Sequence, residues 1–541
     1  MPIKQHLTEN RRAWLLSGFF AICLSLALVW GEQLEKTDHV DFTSPYTLLA
    51  VLLLTAVITL LVKKSWKLKP ELQSSRAEET SFSARTYFLR VWGGLVLCQI
   101  PVLLAEYPGF FVYDAQTEVT EVFTRTFTTH HPLLHVLLLG GIISAVHKVT
   151  GSYNAGICTY LVLQMLVMTA VFALVILYLR KFRVRRGIRI AAFLFYGLFP
   201  TIVMYTLCSS KDGLFSAFLL LLALLLMQLR RDPETFLRSR RHVAALILSA
   251  LLMMLMRNNG FYGYLVFVPF GIFFLRKEWK KVIPLLALPV ALYLLANSVL
   301  TAAVHAQSGE HQEMLTVPIQ QLARTWQASP ENFSSEDLEV LYSYLSEEGL
   351  RHYTPRISDI LKTYFNNQQY AQDSASFWKL WLKTGEKNPA TYLNAWFLTS
   401  YGYWYPGAVI NVYQGNTVFT FTYKDSSYFG YEVEAPGTRH SLIPVLDTFY
   451  RRLSIEKFQQ NIPGISLLFA PAFWFWVMLW YALRALQQRK AEKVYWMLPV
   501  FLTVLTVLLG PTYLVRYVVI LWYIVPLYPL AACMEKTYGS C

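Results

Sequence analysis

Apolar residues run through this chain in long stretches, separated by short polar breaks and one long polar interval. The stretches fall at 14–30, 46–62, 88–105, 154–179, 188–207, 213–229, 242–256, 261–275, 282–301, 463–483, 494–509 and 517–532. A helix that crosses a bilayer needs about 20 apolar residues, so the pattern predicts about twelve transmembrane helices. One further stretch, 133–147, has only about 15 residues and is expected to lie flat on the membrane surface. The polar interval 302–462 predicts a mainly helical domain. Helices are expected over 313–326, 374–387, 389–401 and 442–459, with a capping-box start at Ser334-Ser335-Glu336-Asp337. Alternation of Phe419, Phe421 and Tyr423 with Thr420, Thr422 and Lys424 predicts a strand in a small β-hairpin.

Charge gives the stretches a direction. Only 15% of residues are charged, against roughly 25% in soluble domains, yet the net charge is +14. The basic residues cluster between apolar stretches, at 4–12, 63–90, 180–189, 230–241, 276–281 and 484–493. That is the distribution of cytoplasmic loops, and it argues against a nucleic-acid partner. With every cluster inside, both termini are cytoplasmic, and 302–462 and the hairpin tips lie outside. The parity of crossings holds only if 133–147 does not cross. Four domains follow: two N-terminal helices with a basic loop (1–84), a membrane core with the outer loop 106–153 (85–301), an extracytoplasmic domain (302–462) and C-terminal helices (463–541). Of six cysteines, Cys23, Cys98, Cys158 and Cys208 lie in or beside apolar stretches, and Cys533 and Cys541 lie near the C-terminus. None falls in 302–462, so no disulfide framework is expected there. Lys4, Arg11 and Arg12 precede the first stretch without a small-residue cleavage site, which predicts an uncleaved helix.

The candidate chemistry lies at the predicted outer tips. The loop Glu106–Glu118 is aromatic and ends in Asp114 and Glu118, and His130, His131 and His135 follow. A carboxylate beside apolar groups is partly desolvated, which raises its basicity unless a cation opposes it. The plainer role for Asp114 is to cap a short helix. Lys211, Arg257 and Arg516 each stand at an outer tip, where basic residues are uncommon. Singly, each could be an interfacial anchor; together they suit an anionic ligand with its tail in lipid, such as a polyprenyl phosphate. Asp212, Asn258, Asn259 and Tyr517 flank these cations. Gln320 and Arg324 begin the polar domain, and Tyr401-Gly402-Tyr403-Trp404-Tyr405-Pro406 is either a sugar-stacking surface or an interfacial belt. His131 and His135 have metal-ligand spacing, but no Glu or third ligand accompanies them. No cofactor is required by the pattern; a divalent ion is left open, with Asp114, Glu118 and Asp212 as candidate ligands.

Asp114 in the first loop of the core, His131-Pro132-Leu133 opening a surface helix, and Asp212 after Lys211 resemble the GT-C membrane glycosyltransferases. Tyr113-Asp114-Ala115-Gln116, Ser210-Lys211-Asp212, Arg257-Asn258-Asn259-Gly260 and Val515-Arg516-Tyr517 also resemble a large uncharacterised bacterial family of GT-C-like multi-pass proteins. The resemblance covers roughly 85–533. It implies transfer of a sugar from a polyprenyl-phosphate donor to an acceptor hydroxyl on the outer face of the bacterial cytoplasmic membrane. Asp114 would be the base or a metal ligand, and Lys211, Arg257 and Arg516 would contact the lipid phosphate. One departure is that Ala115, not a second acid, follows Asp114; Glu118 lies one helical turn on. The alternative function is a transporter or flippase of a lipid-linked or anionic substrate, although no matched halves or intramembrane charges support it.

Overall fold

The computed structural model describes residues 2–68, 70–73, 82–409, 433–456 and 458–534. Among them the chain is helical, and β pairing is confined to isolated bridges. The β-hairpin expected at 419–424 lies outside the described residues. The chain begins with α1 (Pro2–Thr37), α2 (Pro45–Ser65), α3 (Ala84–Ala105), α4 (Ala115–Thr124), α5 (Leu133–Thr150), α6 (Tyr153–Lys181), α7 (Arg186–Leu198), α8 (Pro200–Thr206) and α9 (Lys211–Arg231).

Eight described helices are long and apolar enough to cross a membrane, or nine if α7 and α8, bent by 52° at Phe199-Pro200, make one span. Proline at the start of α8 has no N–H to continue the ladder, which accounts for the bend. The count of twelve is not supported by helix length. Arg240–Met256, Asn258–Phe274 and Pro471–Gln487 have 17 residues each and Leu498–Val507 has 10. Arg257 separates the first two where the apolar pattern breaks, and Pro471 interrupts the run 463–483. Conversely, α5 is 18 residues, because helix continues through His147, Lys148, Val149 and Thr150 to a left-handed Gly151. It passes the length and apolarity that a span needs, as the shortest of the eight, and both its ends pack on the first part of α6, with His135 at Tyr160 and His147 stacked on Tyr153.

α9 is apolar all round and lies at the centre, with 83% of its spanning window buried. α2 lies at the rim, 17% buried, and shows Leu48, Leu49, Leu52, Leu53, Leu60 and Leu61 outward, as a helix in lipid would. The basic clusters meet at one end of the bundle: Arg185 pairs with Glu71, Arg484 bonds Leu68 O, and Arg231 covers the ring of Phe182. Lys211 and Arg231 are the two ends of α9, about 30 Å apart at 1.5 Å per residue. The tips that carry the candidate residues thus sit at the end opposite the basic loops.

The polar interval has a core of its own, with Leu315, Ile319, Leu322, Phe333, Leu341, Tyr344, Leu361 and Phe377 buried together. Helices form over Thr316–Ala328, Ser374–Lys387 and Pro389–Ser400, and Ser334 with Asp337 closes the capping box of Ser335–Tyr344. The amphipathic stretch at 442–459 is α-helical over Pro444–Arg451, then widens into a π turn over Arg452–Glu456. This interval is tied to the α1–α2 hairpin: Arg356 donates to Asp38 Oδ1 (2.8 Å), and Tyr401 donates to Glu35 Oε2 (2.8 Å).

Candidate functional site

The site begins with an unusual piece of backbone. Tyr113 and Asp114 are both left-handed (φ 59° and 73°), a conformation that non-glycine residues adopt only when their surroundings enforce it. Two neighbouring segments do so. Phe110 N–H donates to Leu207 O (3.0 Å), Ser209 N–H to Phe110 O (3.0 Å) and Val112 N–H to Ser209 Oγ (3.1 Å). From the other side, Glu434 N–H donates to Phe111 O (2.9 Å) and His440 N–H to Tyr107 O (2.8 Å). Gly109 is needed here, with φ 115° and Leu161 2.1 Å from where a Cβ would sit.

Pairing of 110–112 with 207–209 places Asp114 beside the start of α9. Lys211 Nζ is 3.5 Å from Asp114 Oδ2 and 3.2 Å from Glu118 Oε1, and it donates to His131 Nδ1 at 2.9 Å. Arg516 Nη1 lies 3.2 Å from Asp114 Oδ2, and the guanidinium covers the ring of Tyr113 at 4.6 Å while Nη2 donates to Tyr517 OH at 3.1 Å. Arg257 pairs with Asp212 and covers the ring of Tyr517 at 4.6 Å. Asp212 also accepts from Ser210 Oγ (3.0 Å) and stands 3.9 Å from Arg516 Nε. Asp114, Lys211, Arg257 and Arg516 therefore converge on one cluster, joined through Asp212. Three carboxylates, Asp114, Glu118 and Asp212, thus face three basic side chains, Lys211, Arg257 and Arg516.

Asp114 is the open member. Its side chain keeps 36% exposure, against 10% for Arg516 and 1% for Glu118. Burial opposes ionisation of Asp114, but Arg516, Lys211 and His131 outweigh it and hold the carboxyl well below the usual range. Glu118 is likewise desolvated, yet His135, Lys211 and His131 bring it down to about 2. Burial, then Lys211, lowers His131 to about 3, so it is neutral and accepts from the lysine. Asp114 stands at the N-cap of α4 but makes no side-chain cap bond, so helix capping does not explain it.

Behind Glu118 a buried chain extends inward. His135 Nδ1 meets Glu118 Oε2, Tyr160 OH meets His135 Nε2 (2.9 Å) and donates to Gln164 Oε1 (3.1 Å). Gln164 Nε2 in turn donates to Thr206 O (2.9 Å) and Cys208 O (2.6 Å). Sequence reading missed Tyr160, Gln164 and Glu434, since each acts through a contact distant in the chain. The polar face of α4 borders an open cleft of about 900 Å3, lined in part by Gln116, Thr117, Thr120, Glu121, His305 and Gln307.

Other candidates lie at varying removes. The His130 ring packs edge-on against His131 at 4.4 Å. Asn258 accepts from Tyr293 OH (3.4 Å) and Asn259 donates to Thr506 Oγ1 (3.1 Å), so both fasten the Arg257 turn. Gln320 and Arg324 belong elsewhere: they bond Thr354 O and Asp38 O, in the joint between the polar interval and the first hairpin. Tyr401 and Tyr403 are 0% and 2% exposed, and neither presents a ring face to sugar or membrane. Tyr403 OH instead accepts from Leu514 N–H (2.9 Å), bracing the turn that carries Arg516. The metal candidates fit an ion poorly, because an ammonium already stands between Asp114 and Glu118 and Asp212 is engaged by Arg257. Among the described residues, no three His, Cys, Asp or Glu side chains converge as a metal ion requires.

Among solved structures, the arabinosyltransferase EmbB from Mycobacterium smegmatis aligns with a TM-score of 0.32 at 11% identity, over 84% of this chain. The alignment spans 45% of that enzyme's length. No curated protein matches the sequence. A family model described as a family of unknown function (DUF6020) matches residues 121–539, more than three quarters of the chain. The protein belongs to that family.

Proposed function

We propose that this protein is a membrane glycosyltransferase of GT-C type that moves a sugar from a polyprenyl-phosphate carrier to an acceptor hydroxyl. In this reading the Asp114 end of the bundle and the domain 302–462 face outward from a bacterial cytoplasmic membrane, and the product is a cell-envelope glycan or glycopolymer. The observation that carries the proposal is the half-open Asp114 carboxylate held by the largely covered Arg516 and Lys211, with Arg257 joined to them through Asp212.

At rest, the two cations on Asp114 make it a weak base. A phosphate entering the cluster competes for their N–H groups, and Asp114 regains basicity as they turn to the ligand. The acceptor oxygen then attacks the anomeric carbon and its proton passes to Asp114. The bond from that carbon to the phosphate oxygen breaks, and the electron pair stays on the phosphate. Cations fixed in advance in a water-poor site stabilise that growing charge. A base contributes about 10²–10⁴-fold, and a single displacement inverts the anomeric centre. The hydroxyl- and amide-rich cleft beside α4 is where we place the acceptor.

The test uses the full-length protein in liposomes with a panel of radiolabelled polyprenyl-phosphate monosaccharides and no ion gradient. Release of polyprenyl phosphate with sugar transfer, lost in Asp114→Asn, is expected. Wild-type turnover by that variant, or no turnover of any donor by the native protein, overturns the proposal.

A further inference from the structure

A helix leaves its first N–H groups without partners inside the helix, and the N-cap side chain normally satisfies one at the second or third position. α4 begins at Ala115, so Asp114 is its N-cap and Gln116 is the second residue. The Gln116 N–H does not go to Asp114. It donates to Glu434 Oε2 at 2.7 Å, across 318 residues of sequence. The cap bond that Asp114 would supply by position is made by a carboxylate from another segment, and the Asp114 side chain is turned to Arg516 and Lys211.

The segment bearing Glu434 is fixed along its length against the same loop. Glu434 N–H donates to Phe111 O, His440 N–H to Tyr107 O and Leu442 N–H to Leu104 O (2.9 Å). Arg439 pairs with buried Glu106, and Thr438 exchanges two hydrogen bonds with Asn154. Val433 packs with Phe111, Ala115 and Val119. Glu434 is 6% exposed, so its carboxylate has little freedom to leave. A negative group at a helix N-terminus is also favoured by the helix dipole.

We propose that Glu434 is a positioning residue: by capping α4 in place of Asp114, it releases the Asp114 carboxylate for the reaction. The inference rests on the function proposed above for Asp114. Without Glu434, the Gln116 N–H loses its acceptor, and Asp114, as the N-cap residue, is the carboxylate that its place in the chain offers instead. The side chain then turns back onto its own helix and leaves Arg516 and Lys211. Glutamine keeps an oxygen in the same place, whereas alanine has none and aspartate falls short by a methylene.

The experiment measures hydrogen exchange over 115–118 and sugar transfer in Glu434→Ala, Glu434→Asp and Glu434→Gln, with Asp114→Asn as reference. Exchange in Glu434→Ala is expected to rise about 2- to 30-fold, the range of a lost cap. Its kcat is expected to fall about tenfold to hundredfold with KM little changed, since the reacting group is displaced rather than the substrate. Glu434→Gln rescues both. If Glu434→Ala does not fold, Glu434→Asp carries the same expectation. Faster exchange at an unchanged kcat overturns the positioning role, and equal losses in Gln and Ala variants overturn the capping. Turnover by Asp114→Asn at the native rate overturns instead the function assigned to Asp114, while the exchange data still decide the cap.

Discussion

Arg516 reaches Asp114 across 402 positions of sequence, Nη1 to Oδ2 at 3.2 Å, with the guanidinium laid on the ring of Tyr113. Tyr113 and Asp114 are the consecutive left-handed residues, so the same strained turn supplies both the aromatic face and the carboxylate. The cation is located by the planar contact as much as by the charge.

Arg516→Lys should therefore be far from conservative. Lysine keeps the charge but loses the planar stack and the second N–H arm to Tyr517. Sugar transfer is expected to fall about tenfold to hundredfold while thermal unfolding in detergent changes little. A native rate would show that charge alone suffices.

Asp212 is buried, and the largely covered Arg257 is its partner. Arg257→Leu leaves a buried carboxylate without its principal cation and is expected to cost about 3–5 kcal/mol. Adding Asp212→Asn should recover part of that loss, because the stranded charge is removed. Thermal unfolding of the two single variants and the double variant measures the coupling; strict additivity would contradict the pairing.

Acid should destabilise the cluster in two steps. His131 is neutral when folded, titrating at about 3 against 6.5 when free. The unfolded chain thus takes up the proton first, and stability falls as pH drops from about 6.5 towards 3. Glu118, at about 2 against 4.5, contributes stability that is complete above 4.5 and lost as pH falls towards 2. Unfolding temperature should therefore decline below about pH 6.5, and His131→Gln should flatten the upper part of that decline. An unchanged upper slope in the variant would count against a neutral His131.

Tyr403→Phe removes the hydroxyl that accepts from Leu514 N–H. The bereft amide is buried, and the expected loss is about 1–3 kcal/mol. A larger loss of transfer than of stability would show that the turn bearing Arg516 has shifted.

The sequence by itself determined the helical membrane architecture, because long apolar stretches leave the backbone only one way to satisfy its polar groups in lipid. It also pointed to Asp114, Lys211, Arg257 and Arg516, since each is a charge where the local pattern disfavours one. It placed the capping box at Ser334 and the helix Ser374–Lys387, both of which are local signals. Helix lengths were less legible: α5 runs past its apolar stretch, and Pro471 cuts the run 463–483 short. Only the tertiary structure decided that Gln320, Arg324 and Tyr401 fasten the polar interval rather than join the cluster. It alone brought Tyr160, Gln164 and Glu434 to the site. The reason is physical: hydrogen bonds between segments hundreds of residues apart leave no periodic trace in the chain, whereas burial of apolar surface writes its period along it.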